Sequence, residues 1–192
     1  MSSPLKNRMS PEEYLSRERA AEYKSEYFAG EVFAMVGASE EHNLIVTNLI
    51  VELGSQLKKR PCKVYPSDMR VKVSPTGLYT YPDVVVVCRE ARFEDKHSDT
   101  LLNPTLLVEV LSESTEGYDR GRKFEHYRKV ESLLEYLLVS QSSYKIEQYV
   151  RQPENRWLFS EISDLQGVLQ LPSVQCSLPL AEVYDKVKIT TM

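Results

Sequence analysis

The chain of 192 residues has no apolar run approaching the ~20 residues needed to cross a bilayer; its longest runs, such as Val84–Cys88 and Leu106–Val108, are far shorter. No membrane partner is expected. Glycine is scarce, at 7 residues, and no Pro/Gly/Ser-rich stretch interrupts the middle of the chain, which excludes collagen-like and low-complexity classes and leaves no linker for a second core. Cysteine is limited to Cys62, Cys88 and Cys176, odd in number and widely spaced. That pattern suits neither a disulfide framework nor a CxxC metal site, so the three are read as reduced and structural. Three histidines are too few and too scattered for His-rich zinc ligation. Net positive charge is also missing. The balance of 24 basic and 28 acidic residues gives −4, so only a local basic patch could attract nucleic acid. The N-terminal MSSPLKNRMSPEEYL has two basic residues but no apolar segment behind them, which is not a secretory signal and points to a cytoplasmic address.

What remains is a globular composition, 42% hydrophobic and 27% charged, read as one domain over residues 1–192. Ser10 and Pro11 start a short helix running to Ala21. Glu26–Phe28 and Glu31–Met35 flank Ala29-Gly30 as a hairpin. Ser39 caps a helix from Glu40 to Lys58, with Val46, Leu49, Leu53 and Leu57 as its inward stripe. Cys62–Tyr65, Met69–Val73 and Tyr81–Cys88 read as a three-strand meander, and Thr105–Leu111, apolar except at Glu109, as a central strand buried on both faces. A helix from about Asp119 to Val130 leads to strands at Leu134–Val139 and Tyr144–Val150, then a late hairpin near Trp157 and an apolar tail. The order specifies an α+β (α/β-like) fold, a mixed β-sheet flanked by helices.

Three residues carry the chemistry. Glu109 lies inside Leu106–Leu111, and a carboxylate there must become neutral, pair with a cation or ligate a metal; a structural ion pair accounts for it equally. Asp83 opens the run Val84–Val87, where it could also be a turn aspartate after Pro82. On adjacent strands the two would share one hard divalent cation. Lys123, with Tyr127 and Val130 at i+4 and i+7, sits on the sheet-facing stripe, either snorkelling or supplying charge to phosphoryl chemistry. Glu31 could add a carboxylate from the hairpin, or be exposed there. His42 falls on the inward stripe, where a hydrogen-bonded core histidine is the simpler reading. Arg120 and Arg122 could flank a nucleic-acid backbone near Lys123, while Lys58, Lys59, Arg60, Arg128 and Lys129 suit solvated helix ends as well as a phosphate-contacting surface.

The ordered set Gly30-Glu31, His42-Asn43, Ser67-Asp68-Met69-Arg70-Val71, Tyr81-Pro82-Asp83-Val84-Val85-Val86, Asn103-Pro104-Thr105, Glu109-Val110-Leu111-Ser112, Asp119-Arg120 and Lys123 resembles the Uma2 family, classed with restriction endonucleases of the PD-(D/E)XK superfamily. The resemblance spans roughly residues 10–184. It implies a restriction-endonuclease-like core and a Mg²⁺-dependent endonuclease, with Mn²⁺ as a substitute ion, acting on DNA. Asp83 and Glu109 would be the metal-binding carboxylates and Lys123 the catalytic lysine; Glu31 is an additional catalytic candidate from its own place on the hairpin. The superfamily motif places its lysine two residues after the second carboxylate, where this chain has Leu111; migration to Lys123 restores it if the following helix faces the sheet. An inactive nuclease-fold module binding nucleic acid or a protein is the alternative, and a glycosidase with a carboxylate pair a third reading. A homo-oligomer is compatible with all of them.

Overall fold

The structure is a computed structural model and describes residues 8–189; residues 1–7 and 190–192, on which part of the N-terminal signal reading falls, lie outside the described residues. Helix α1 (Pro11–Glu18) starts at Ser10 with a reciprocal capping box: Glu13 N–H donates to Ser10 Oγ, and Ser10 N–H to the Glu13 carboxylate. Strands β1 (Ser25–Phe28) and β2 (Glu31–Ala34) form the expected hairpin. Its turn residues Ala29 and Gly30 both have positive φ, 51° and 87°, and a Cβ on Gly30 would lie 2.5 Å from Arg8 Cβ. Helix α2 (Glu40–Leu57) follows, its N-cap Ser39 accepting from His42 N–H. Its buried stripe is Ile45, Leu49, Leu53 and Leu57. The expected Val46 is only half-buried, because Ile45 stands four residues before Leu49 and Val46 is turned ~100° from it.

Next come β3 (Cys62–Pro66), β4 (Arg70–Val73), β5 (Leu78–Thr80), β6 (Val84–Cys88), β7 (Thr100–Leu101) and β8 (Leu106–Leu111). The helical segment consists of α3 (Glu116–Tyr118), a π-helical turn (Asp119–Lys123) and α4 (Phe124–Tyr127). The chain ends with β9 (Glu135–Ser140), β10 (Ile146–Arg151), β11 (Trp157–Ile162), β12 (Val168–Leu171), β13 (Cys176–Pro179) and α5 (Leu180–Val183). A six-stranded mixed sheet runs β11-β10-β9-β8-β6-β3, a five-stranded one β2-β1-β5-β4-β7, and β12 pairs with β13. This is an α+β fold with two principal sheets where the sequence indicated one. The expected meander is replaced by a switch between them: β3 pairs with β6, while β4 and β5 lie in the other sheet. Tyr81–Cys88 is therefore not one strand. Tyr81-Pro82-Asp83 carries the chain across, and Pro82, with no N–H to give, suits that break in the ladder.

β8 is central as expected, flanked by antiparallel β6 and parallel β9, and all six of its residues are buried. One face of this sheet packs Val84, Val86, Val108 and Val110 against Ile45, Leu49 and Leu53 of α2 and the β12–β13 hairpin. On the other face Val85, Val87, Leu107 and Leu111 meet Tyr127, Val130 and Val71. Cys62 and Cys88 lie directly opposite each other across β3 and β6 and form a disulfide with Cα atoms 4.0 Å apart, correcting the reading of three reduced thiols. A separation of 26 residues concealed what strand register brings together. Cys176 is free and buried, as expected. No helix among the described residues is long and apolar enough to cross a membrane.

Candidate active site

Because β6 and β8 pair with Val84 opposite Val108, one step further along the register brings Asp83 level with Glu109. Asp83 lies just outside β6. Its Oδ2 accepts Val110 N–H at 2.7 Å, serving the β8 backbone where β6 no longer does, and stands 3.2 Å from His42 Nε2. Glu109 is 4% exposed, and its Oε1 accepts from Tyr127 OH at 2.7 Å and lies 2.9 Å from Lys123 Nζ. Lys123 is itself 5% exposed and stands 3.4 Å from both Glu26 Oε1 and Asp119 Oδ1. Glu26, on β1, is held by Thr80 Oγ1 at 2.5 Å and Tyr118 OH at 3.3 Å. Glu26, His42, Asp83, Glu109, Asp119 and Lys123 all line one cavity of about 880 Å³, at the mouth between the two sheets and the N-terminal end of α2.

Burial raises the Glu109 pKa well above the usual carboxylate value; Lys123 opposes that rise, and Asp119 and Asp83 add to it. Burial likewise raises Asp119 against the pull of Lys123. For Lys123, burial favours the neutral amine, but Glu109, Glu26 and Asp119 together outweigh it and hold the pKa well above that of an ordinary lysine. The site thus keeps its ammonium charged while its carboxylates are in excess. Mutual repulsion among them favours capture of a proton or a cation.

Asp83, Glu109 and Lys123 are brought together; Tyr127, four residues after Lys123, is buried and shares Glu109 with it, while Val130, also buried, lies beyond the end of α4. Glu31 is not brought in: it is exposed at the hairpin turn, opposite Phe28, and outside the cavity lining. The hairpin carboxylate that does reach the cluster is Glu26 on the neighbouring strand. Arg120 is engaged by Glu116 and Glu147, each at 2.7 Å, and Arg122 is exposed. Lys58, Lys59 and Arg60 follow the far end of α2, about 22 Å along the helix from His42, and Arg60 donates to the carbonyls of Val174 and Gln175. His42 faces the cavity instead of the apolar core. Asp119 could have been found from its i, i+4 spacing to Lys123; Glu26 and Thr80 belong to separate short strands, and no local pattern links them to Glu109.

Among the described residues no three His, Cys, Asp or Glu side chains form a ready-made metal cage. The contacts of the two central carboxylates fall on Glu109 Oε1 and Asp83 Oδ2, leaving Glu109 Oε2 and Asp83 Oδ1 without a protein donor among the described residues. Two such hard oxygens, with water completing the shell, are what Mg²⁺ takes, so the donor set fits that class of ion.

A family model described as "Putative restriction endonuclease", Uma2, matches residues 11–181. Two proteins of Synechocystis sp. are similar: uncharacterized protein sll1609, 39% identical over 150 residues (78% of this chain, 85% of that protein), and uncharacterized protein slr1290, 37% identical over 177 residues (92% of each). The crystal structure of "a putative nuclease belonging to DUF820" from Anabaena variabilis superposes with a TM-score of 0.70 at 16% identity, covering 88% of this chain and 93% of the other; that likeness concerns the fold.

Proposed function

The chain belongs to the Uma2 family, and on that premise we propose that it is a divalent-cation-dependent endonuclease that hydrolyses DNA phosphodiester bonds. The observation that carries this reading is the reach of Lys123 Nζ to within 2.9 Å of Glu109, with Asp83 level on the adjoining strand end. Helix-borne Lys123 thereby meets the carboxylate that Leu111, two residues beyond Glu109, cannot serve.

Asp83 Oδ1 and Glu109 Oε2 would hold the cation. A bound Mg²⁺, or Mn²⁺ in its place, supplies charge neutralisation at the scissile phosphate and a water of lowered pKa. Without it, Glu26, Asp83, Glu109 and Asp119 outnumber Lys123 and repel a phosphodiester. Val110 N–H and His42 fix the Asp83 carboxylate, and Tyr127 OH fixes Glu109, so neither has to reorganise as charge develops. Lys123 remains an ammonium and donates toward the phosphate oxygens as they gain charge. Two of its three carboxylate contacts, at 3.4 Å, are long for charged hydrogen bonds, and one can be exchanged for a phosphate oxygen with small loss. In the net reaction water adds to phosphorus, the bond to the leaving oxygen breaks, and that oxygen takes up a proton.

The inactive-module reading loses its main support once a lysine reaches Glu109, and a glycosidase has no use for an ammonium clamped to one of its two carboxylates. Incubation with supercoiled plasmid and Mg²⁺ or Mn²⁺ tests the proposal. Nicking or linearisation is expected, and Asp83→Ala should abolish it; cleavage that persists in Asp83→Ala places the chemistry elsewhere. Absence of cleavage of any DNA form with either ion favours the inactive module.

A further inference from the structure

β11 is an end strand of the six-stranded sheet. All six residues pair with β10 without a bulge, from Ile146 opposite Ile162 to Arg151 opposite Trp157, so the outer side presents a regular row of backbone donors and acceptors. Other edges are guarded or short: β3 carries Lys63 and ends at Pro66, β2, β12 and β13 have four residues each and β7 two. β11, WLFSEI, contains neither proline nor lysine, and its Leu158 and Phe159 are 59% and 48% exposed on opposite faces. A six-residue edge of this kind is a template for strand addition.

We propose that β11 is a homodimerisation edge, pairing antiparallel with β11 of a second copy about a two-fold axis through Ser160. The register follows from symmetry and charge. A two-fold axis perpendicular to the sheet keeps each face on its own side, so residues set opposite one another must have side chains on the same face, and the axis must pass through a residue position. An axis at Glu161 sets two glutamates against each other, one at Phe159 sets Trp157 against Glu161 and Arg156 against Ile162, and one at Leu158 leaves Arg156 against Ser160 and sets Ile162 against Glu154. An axis at Ser160 places Leu158 opposite Ile162 twice, Phe159 beside Glu161 twice, and Arg156 opposite Asp164 twice. Arg156 just precedes β11 and Asp164 lies two residues past its end; both are exposed, Arg156 has only the exposed Glu154, at 3.4 Å, as an ion-pair partner among the described residues, and Asp164 Oδ1 accepts Gln166 N–H while Oδ2 stays open to a partner. The strand is therefore complementary to itself in its apolar positions, and its two flanking residues are complementary in charge, which selects a second copy over an unrelated partner.

Sedimentation velocity of the full chain across a concentration series tests this, because all the substituted residues are exposed and the fold is not at stake. A concentration-dependent dimer is expected. Leu158→Lys should abolish it, and Arg156→Glu or Asp164→Arg alone should weaken it about tenfold or more. The double exchange R156E/D164R should restore association, since both ion pairs are re-formed with reversed sign. A chain that stays monomeric up to about 0.1 mM, a dimer that survives Leu158→Lys, or a double exchange that fails to restore association would each overturn the proposal.

Discussion

Replacing Lys123 with Met keeps most of the side chain's volume and removes the charge. In the folded protein that charge lies 2.9 Å from Glu109 and 3.4 Å from Glu26 and Asp119, in a residue only 5% exposed. Removing one partner of a buried ion pair costs about 3–5 kcal/mol. The protein can limit that loss by protonating Glu109, whose pKa burial already raises and which nothing would then hold down. The free energy of binding that proton is an upper bound at each pH, about 1.4 kcal/mol for every unit above the unfolded glutamate value of about 4.3: close to 1 kcal/mol at pH 5 and about 5 kcal/mol at pH 8. The sign follows from linkage. A carboxylate whose folded pKa is raised contributes stability that is present below its unfolded pKa and lost as pH rises through the folded one. At about 2–4 °C per kcal/mol for a chain of this size, a cost of about 3–5 kcal/mol at pH 8 should lower the Tm of Lys123→Met by about 6–20 °C, against at most about 2–4 °C at pH 5. Thermal unfolding in EDTA at both pH values measures this. A variant as stable as the parent at pH 8, or a loss independent of pH, would refute the assignment of Lys123 as the cation that offsets the burial of Glu109.

Asp83→Asn should eliminate stabilisation by added Mg²⁺ while leaving the metal-free Tm unchanged or raised, because the amide oxygen can still accept Val110 N–H and a repelling charge is gone; melting with and without Mg²⁺ decides it. Mg²⁺ stabilisation of the parent should also strengthen as pH rises, since the raised pKa values of Glu109 and Asp119 make protons its competitors, and a response that is flat with pH argues against binding at these carboxylates. Tyr127→Phe removes the 2.7 Å donor to Glu109 and should cost about 1.5–3 kcal/mol in urea unfolding, with a loss below about 0.5 kcal/mol contradicting the buried, charge-assisted bond. Reducing the Cys62–Cys88 disulfide, which spans 26 residues, should cost about 3–4 kcal/mol by the loop-entropy relation, read as a lowered denaturation midpoint under reducing conditions.

The helices and the central strand were legible because their signals are local. Ser10 with Glu13, the four-residue recurrence of apolar side chains in α2, and the apolar run around Glu109 each act within one element, where spacing alone assigns a face. Lys123 was legible for the same reason, since its i+4 and i+7 neighbours mark the buried side of its helix.

By itself the sequence determined that Asp83 and Glu109 stand at or inside apolar strands and that Lys123 turns inward; burial of charge demands a partner wherever the chain runs. Only the tertiary structure decided which partners meet. The switch of sheets at Tyr81-Pro82-Asp83, the choice of Glu26 over Glu31, the neutralisation of Arg120 by Glu147 and the union of Cys62 with Cys88 all depend on strand pairing between distant segments. Register between such segments is set by how whole faces bury against one another, and a shift of one residue would turn the strand side chains among them to the other face.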